Sequence, residues 1–232
     1  IYPDFQNSDL VVIWGANPPT DSPPNKVKKI LAAKKRGARV VVIDHMRSGM
    51  AKLADQWIGI RSGTDGALAL SMMHVIVNEG LYDEAFIRDW TLGFKELQEY
   101  VRHFPPEKAE KITRVPRETI TEMARSIARA KGASLLMYTG LEYSNSGVQS
   151  IRAVLCLWAI TGNLDVPGGL MFRPPCPVKF PRIKLDPPES VKPIGADKYP
   201  YFCDMLKSAQ FLEAPRAILR GDPYPVKALL IF

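Results

Sequence analysis

Two uninterrupted apolar runs constrain this chain most: LVVIW at Leu10–Trp14 and RVVVI at Arg39–Ile43. Continuous apolarity, as opposed to alternation, is what a strand needs when both faces of its sheet are covered. Between the runs, Asp21 or Ser22 can cap a helix that starts at Pro23 and stops at Gly37, with Val27, Ile30 and Leu31 on one face. Strand, helix and strand in roughly thirty residues make a βαβ unit, which requires a parallel sheet and a right-handed crossover.

The pattern continues along the chain. Trp57–Ile60 reads as a short strand, and Thr64 or Asp65 caps a helix running through Asn78 to a stop at Gly80. Helical spacing recurs at Asp83–Trp90, Phe94–Phe104 and Arg117–Ala130. Ser134–Thr139 is another apolar strand, and GLEYSNSG is a polar loop leading to an apolar helix over Val148–Ile160. From 167 to 200 prolines dominate and predict an irregular excursion draped over a neighbour. Order returns as a short helix over Phe202–Leu212 and a strand over Val226–Phe232. The expected fold is α/β, a Rossmann-like doubly wound, mainly parallel sheet with helices on both faces. It occupies residues 1–138, and 139–232 form a returning segment of a neighbouring α/β domain.

Composition removes several function classes. The 232 residues are 46% hydrophobic, enough for a real core, and no run approaches the roughly 18 apolar residues of a membrane span. The formal charge of +7 concentrates on Lys26, Lys28, Lys29, Lys34, Lys35, Arg36 and Arg39, opposite the apolar face of the first helix. No aromatics interleave with it, so it reads as a solvated face and not as a nucleic-acid platform. Cys156, Cys176 and Cys203 stand far apart and His45, His74 and His103 lack ligand spacing, so no zinc or iron–sulfur site is expected and the compartment stays undecided. The sequence starts at Ile1 without a signal-like segment and stops in the apolar ALLIF, which reads as a central piece of something longer.

In open parallel sheets ligands bind at the carboxyl ends of the strands, and four loops qualify. In GANPPTDS, Gly15 and Ala16 let the backbone approach a ligand and Asn17 can donate and accept. In DHMRS, Asp44 stands where nucleotide-binding βαβ folds place a ribose-binding acid, and Arg47 can pair with phosphate. RSGTDG offers Gly63, Thr64 and Asp65, and GLEYSNSG has hydrogen-bonding capacity with little packing duty. Taken singly, the first loop reads equally as a stiff strand–helix turn, the second as a surface loop with a locally satisfied Asp44, and the third as helix capping. The G-x-G-x-x-G fingerprint is absent, which disfavours an ordinary nicotinamide or flavin dinucleotide.

In order, WGANPPTDSPP, GARVVVIDHMRS, AKLADQWIGIRSGTDGALALSMMHVIVNEGLYD, VPRETITEMARSIA, TGLEYSNSGVQSIRA and ITGNLDVPGG resemble the molybdopterin oxidoreductases of the dimethyl sulfoxide reductase family. The resemblance implies a bis(molybdopterin guanine dinucleotide) cofactor carrying molybdenum or tungsten, with one guanine dinucleotide arm across the strand ends. It places backbone and Asn17 contacts at GANP, further contacts at Ile43, Asp44 and His45 and at Gly63, Thr64 and Asp65, and a pterin approach at Gly140 and Tyr143. Many relatives carry Gln where this chain has Tyr143, and D-P-R in place of Asp44, His45 and Met46; a phenol cannot mimic a carboxamide as both donor and acceptor. The family's N-terminal iron–sulfur segment, molybdenum ligand and C-terminal cofactor domain have no counterpart here. The implied parent is a two-electron oxidoreductase with a small-molecule substrate and an iron–sulfur electron-transfer subunit as partner. A metal-free structural relative and a free-standing nucleotide-binding module are the alternatives.

Overall fold

The computed structural model describes residues 1–20, 25–172, 191–206 and 208–229. They divide into two compact units, Ile1–Pro175 and Cys176–Phe232. In the first, the elements run β1 (Tyr2–Pro3), β2 (Leu10–Trp14), α1 (Asn25–Lys35), β3 (Arg39–Asp44), α2 (Gly49–Leu53), β4 (Gln56–Gly59), α3 (Asp65–Asn78), α4 (Glu84–Trp90), α5 (Phe94–Val101), α6 (Pro106–Thr113), α7 (Arg117–Arg129), β5 (Ala133–Met137), α8 (Thr139–Glu142), α9 (Gly147–Ile160) and β6 (Leu170–Met171).

The sheet has the order β4-β3-β2-β5 and every pairing in it is parallel. Alternate residues of the apolar strands feed two separate cores. Leu10, Val12, Trp14, Val41, Ile43, Ile58 and Leu135 pack with α3, α6, α7 and α9 on one face. Val11, Ile13, Val40, Val42 and Leu136 pack with Ile30 and Ala33 of α1 and Met50 of α2 on the other. This is the doubly wound arrangement expected from the continuous apolar runs. From β2 the chain steps outward to β3 and β4, then returns to the other side of β2 for β5. The reversal opens a crevice at the carboxyl ends of β2 and β5, where ligands bind in such folds.

Buried polar groups fix the amino end of β5. Asn163 Oδ1 accepts the Ala133 amide at 2.8 Å, and Trp158 Nε1 donates to the Ala133 carbonyl at 2.7 Å. Losing the Asn163 side chain would leave a buried amide unpaired at a cost of about 1–3 kcal/mol. At the α3–α9 crossing, a Cβ on Gly66 would meet Ser150 Oγ at 3.2 Å, so the glycine permits the helices' close approach.

Several expectations need correction. The first compact unit runs past 138/139 to Pro175, because α9 shares the α3 core and β6 pairs antiparallel with β1. The loop GLEYSNSG begins with the single helical turn α8. The last helical region is shorter and broken: α10 is Pro200–Leu206, a 3₁₀ turn covers Phe211–Glu213 and α11 is Ala214–Arg220. Residues 226–229 form no strand, and the rest of that expected strand lies outside the described residues, as do Asp21, Ser22 and Pro23 at the α1 start, Cys176 and most of the proline-rich stretch. Within 167–200, the short strand Leu170–Met171 falls in PGGLMF, the one segment there whose sequence could be regular. No helix among the described residues is long and apolar enough to cross a membrane.

Candidate functional site

The crevice is built on a contact between two glycines. Gly15, at φ +60° directly after β2, donates to the Ile43 carbonyl at 2.9 Å and accepts from the Gly140 amide at 3.0 Å. A Cβ on Gly140 would lie 2.6 Å from Gly15 Cα, and one on Gly15 would lie 2.5 Å from Leu141 Cδ1. The loops after β2 and β5 therefore meet backbone to backbone. The Gly15 amide is spent on the Ile43 carbonyl and the Gly140 amide on the Gly15 carbonyl, so these glycines shape the floor and offer no free amide of their own.

Above that floor, a narrow cleft of about 30 Å³ is lined by Gly15, Ile43, Asp44, His45, Ile60, Ser62, Asp65 and Gly140. It has room for little more than a water, so a longer ligand would lie along its open rim. Asp65 opens α3 and is buried; Trp14 Nε1, at the end of β2, donates to its Oδ1 at 2.8 Å. Burial pushes its carboxyl above the usual aspartate range, opposed by the Trp14 bond, and the Asp44 charge raises it further. Asp44 ends β3, with Oδ1 accepting the Met46 amide at 3.0 Å and facing His45 Nδ1 at 3.0 Å.

The turn into α3 is closed by the Thr64 amide on the Arg61 carbonyl, with Gly63 at φ +76°, the positive φ that glycine supplies at no steric cost. Thr64 does not cap the helix as expected: its hydroxyl donates to the Arg61 carbonyl at 2.6 Å. The amides of Ala16, His45, Ser62 and Gly63 have no hydrogen-bond partner among the described residues. The strand ends thus combine spare main-chain donors, which suit anionic oxygens, with two carboxylates, which suit hydroxyl and N–H donors.

Of the residues singled out in the sequence, Gly15, Ile43, Asp44, His45, Asp65 and Gly140 share this cleft. Ala16, Asn17, Arg47, Gly63, Thr64 and Tyr143 do not line it. Asn17 braces its own loop, accepting the Met50 amide at 3.1 Å and donating to Thr20 Oγ1 at 2.7 Å. Arg47 is exposed and without an ion-pair partner among the described residues, and Tyr143 is 84% exposed. Ser62 and Ile60 were missed. So was Trp14, whose one signal was an N–H-bearing aromatic as the last residue of a strand. Among the described residues, no group of three His, Cys, Asp or Glu could hold a metal ion.

A larger groove of about 640 Å³ lies along α6 and α7, lined by Glu107, Arg117, Glu118, Glu122, Arg125 and Arg129 among others. Its charges are largely spent on each other or on neighbours, as in Arg117–Glu118 at 2.9 Å, Arg39–Glu122 at 2.8 Å and Arg125–Glu79 at 2.7 Å. The cleft at the strand ends, with unpaired donors and a buried carboxylate that has no ion-pair partner among the described residues, is the better candidate despite its smaller volume.

The model of the molybdopterin oxidoreductase family matches residues 2–174. Formate dehydrogenase H of Escherichia coli is 38% identical over 164 residues, covering 71% of this chain and 23% of that protein. Acetylene hydratase of Syntrophotalea acetylenica is 32% identical over 229 residues, covering 96% of this chain and 31% of that protein. The solved structure of acetylene hydratase from Pelobacter acetylenicus superposes with a TM-score of 0.70 at 28% identity, over 97% of this chain and 35% of that one. The chain therefore spans about a quarter to a third of the length of these relatives. With the sheet order, the strand-end loops and these matches in agreement, the chain belongs to the molybdopterin oxidoreductases, in the dimethyl sulfoxide reductase family that its motifs resemble.

Proposed function

We propose that the strand ends of β2, β3 and β5, with the start of α3, hold one guanine dinucleotide arm of a bis(molybdopterin guanine dinucleotide) cofactor. The observation that carries this reading is the shared cleft of Asp44 and Asp65 over the Gly15–Gly140 floor, with spare amides around it. In this assignment the amides of Ala16, His45, Ser62 and Gly63 receive pyrophosphate oxygens, and the exposed Arg47 offsets their charge. Asp44 and Asp65 accept from sugar hydroxyls and base N–H groups. Asn17 acts through the shape of its loop, and Thr64 through the turn that presents Gly63 and Asp65. Gly140 and Tyr143 lie on the side of the site assigned to the pterin.

The fit is chemical as well as spatial. A diphosphate joined to sugars and a base needs donors and acceptors close together, and these loops supply both. When bound, the molybdenum or tungsten centre supplies the two-electron chemistry, and the protein binds, orients and insulates it. None of the residues in the cleft is assigned as acid, base or nucleophile. The active protein is proposed to be longer than this chain, to carry an iron–sulfur cluster in its other part, and to exchange electrons with an iron–sulfur subunit. The names of the relatives extend from a dehydrogenase to a hydratase, so no substrate is assigned beyond a small molecule.

Acid release of nucleotides and metal analysis on the protein isolated from its own source test this. Two GMP per molybdenum or tungsten are expected, and a folded protein with neither guanine nucleotide nor metal would contradict the proposal in favour of a metal-free relative.

A further inference from the structure

We infer that Trp57 is the aromatic wall against which the base of the bound nucleotide stacks; the inference rests on the nucleotide reading above and adds a residue to it. Trp57 belongs to β4, the edge of the sheet. Its neighbour Ile58 is buried in the core shared with α3, so strand alternation sends Trp57 and Gly59 to the opposite face. There the indole is 39% exposed. Isolated exposed aromatics are ordinary on protein surfaces, and exposure alone would mean nothing. What distinguishes Trp57 is how it is held.

Its Nε1 donates to the Asp44 carbonyl at 3.0 Å. To reach it, the ring leans along the strand across Gly59, the register partner of Asp44. A Cβ on Gly59 would lie 3.1 Å from Cζ2 and 3.2 Å from Cη2 of the ring, so a side chain there would press on the indole. Edge strand, glycine and hydrogen bond together fix a large π surface beside the residue whose carboxylate lines the cleft. A sugar held by Asp44 carries its base within one glycosidic bond, and an immobilised indole next to that sugar offers the base a stacking partner that loses little entropy on binding. Stacking tolerates any base; it would supply affinity, while the cleft carboxylates supply discrimination.

Calorimetric titration of the chain with GDP and with pyrophosphate, in wild type, Trp57→Ala and Trp57→Phe, separates stacking from support. Trp57→Ala is expected to weaken GDP about ten-fold, as for loss of one base–aromatic stack, and to leave pyrophosphate unchanged. Trp57→Phe keeps a ring and is expected to hold GDP within about three-fold of wild type. GDP is also expected to quench indole fluorescence more strongly in wild type than in Trp57→Phe, which keeps Trp14 at the cleft, a readout that survives if Trp57→Ala fails to fold. Unchanged GDP affinity in Trp57→Ala, equal weakening of GDP and pyrophosphate, or equal quenching in Trp57→Phe would overturn the inference while leaving the nucleotide site standing. Failure of wild type to bind GDP at all would instead overturn the nucleotide reading, and the role of Trp57 with it.

Discussion

Two buried carboxylates, one in each compact unit, differ in the charges that surround them. In the second unit, Glu213 is buried but accepts from Lys198 at 2.8 Å and faces Arg216 at 3.4 Å. In the first, Asp65 is equally buried, yet its hydrogen-bond donor is the neutral indole of Trp14 and another carboxylate, Asp44, shares its cleft. Burial raises the cost of ionisation at Asp65, and the Trp14 bond and the nearby His45 oppose that rise without reversing it. A chain tolerates such a charge where something else gains from it.

The largest expected effect removes the floor that brings the cleft together. Gly140→Ala would set a Cβ against the Gly15 backbone; with no flexible side chain to yield, we expect a loss of about 3 kcal/mol, read as a fall in the denaturation midpoint. Glu213→Gln should lower stability by about 1 kcal/mol, a figure held down by the more than half-exposed Lys198. Asp65→Asn should do the opposite. Because the folded-state pKa of Asp65 is raised, its ionisation opposes folding, so wild-type stability falls as pH rises from the unfolded value through the folded one and is level above it. Asp65→Asn lacks that decline, so at pH 7 it should equal or exceed wild type by up to about 1 kcal/mol while losing nucleotide binding. Denaturation curves of both proteins across that pH window check the sign, and a variant less stable than wild type at neutral pH would remove the contrast with Glu213. The smallest effect belongs to the exposed pair of Arg125 and Glu79: Glu79→Gln should cost about 0.5 kcal/mol, and less in high salt.

Strands were legible because their runs are continuously apolar. LVVIW and RVVVI fall on β2 and β3 almost residue for residue, and Gly37 and Gly80 end α1 and α3 with positive φ as their positions suggest. The shortest elements escaped: α2 is too brief to show a helical period, and β1 and β6 exist only by pairing with each other. The expected terminal strand over Val226–Phe232 failed at 226–229 because an apolar run becomes a strand only when a neighbour pairs with it. At the proposed site, the sequence singled out the loops that the structure brings to the strand ends, but not the contacts made within them. Gly15, read as small enough to let the backbone approach a ligand, has its own amide taken by the Ile43 carbonyl. Asn17 is engaged as well, accepting the Met50 amide of α2, thirty-three positions away, and donating to the Thr20 hydroxyl in its own loop. The bond from Trp14 to Asp65 joins residues fifty-one positions apart, which no local pattern reveals.

The central claim is that the strand ends, and not the larger charged groove along α6 and α7, receive the nucleotide. Amide hydrogen exchange of the chain with and without GDP tests it most directly. The account predicts protection confined to residues 15–17, 43–47, 62–65 and 140–143; protection along Pro106–Arg129 with none at those loops would contradict it.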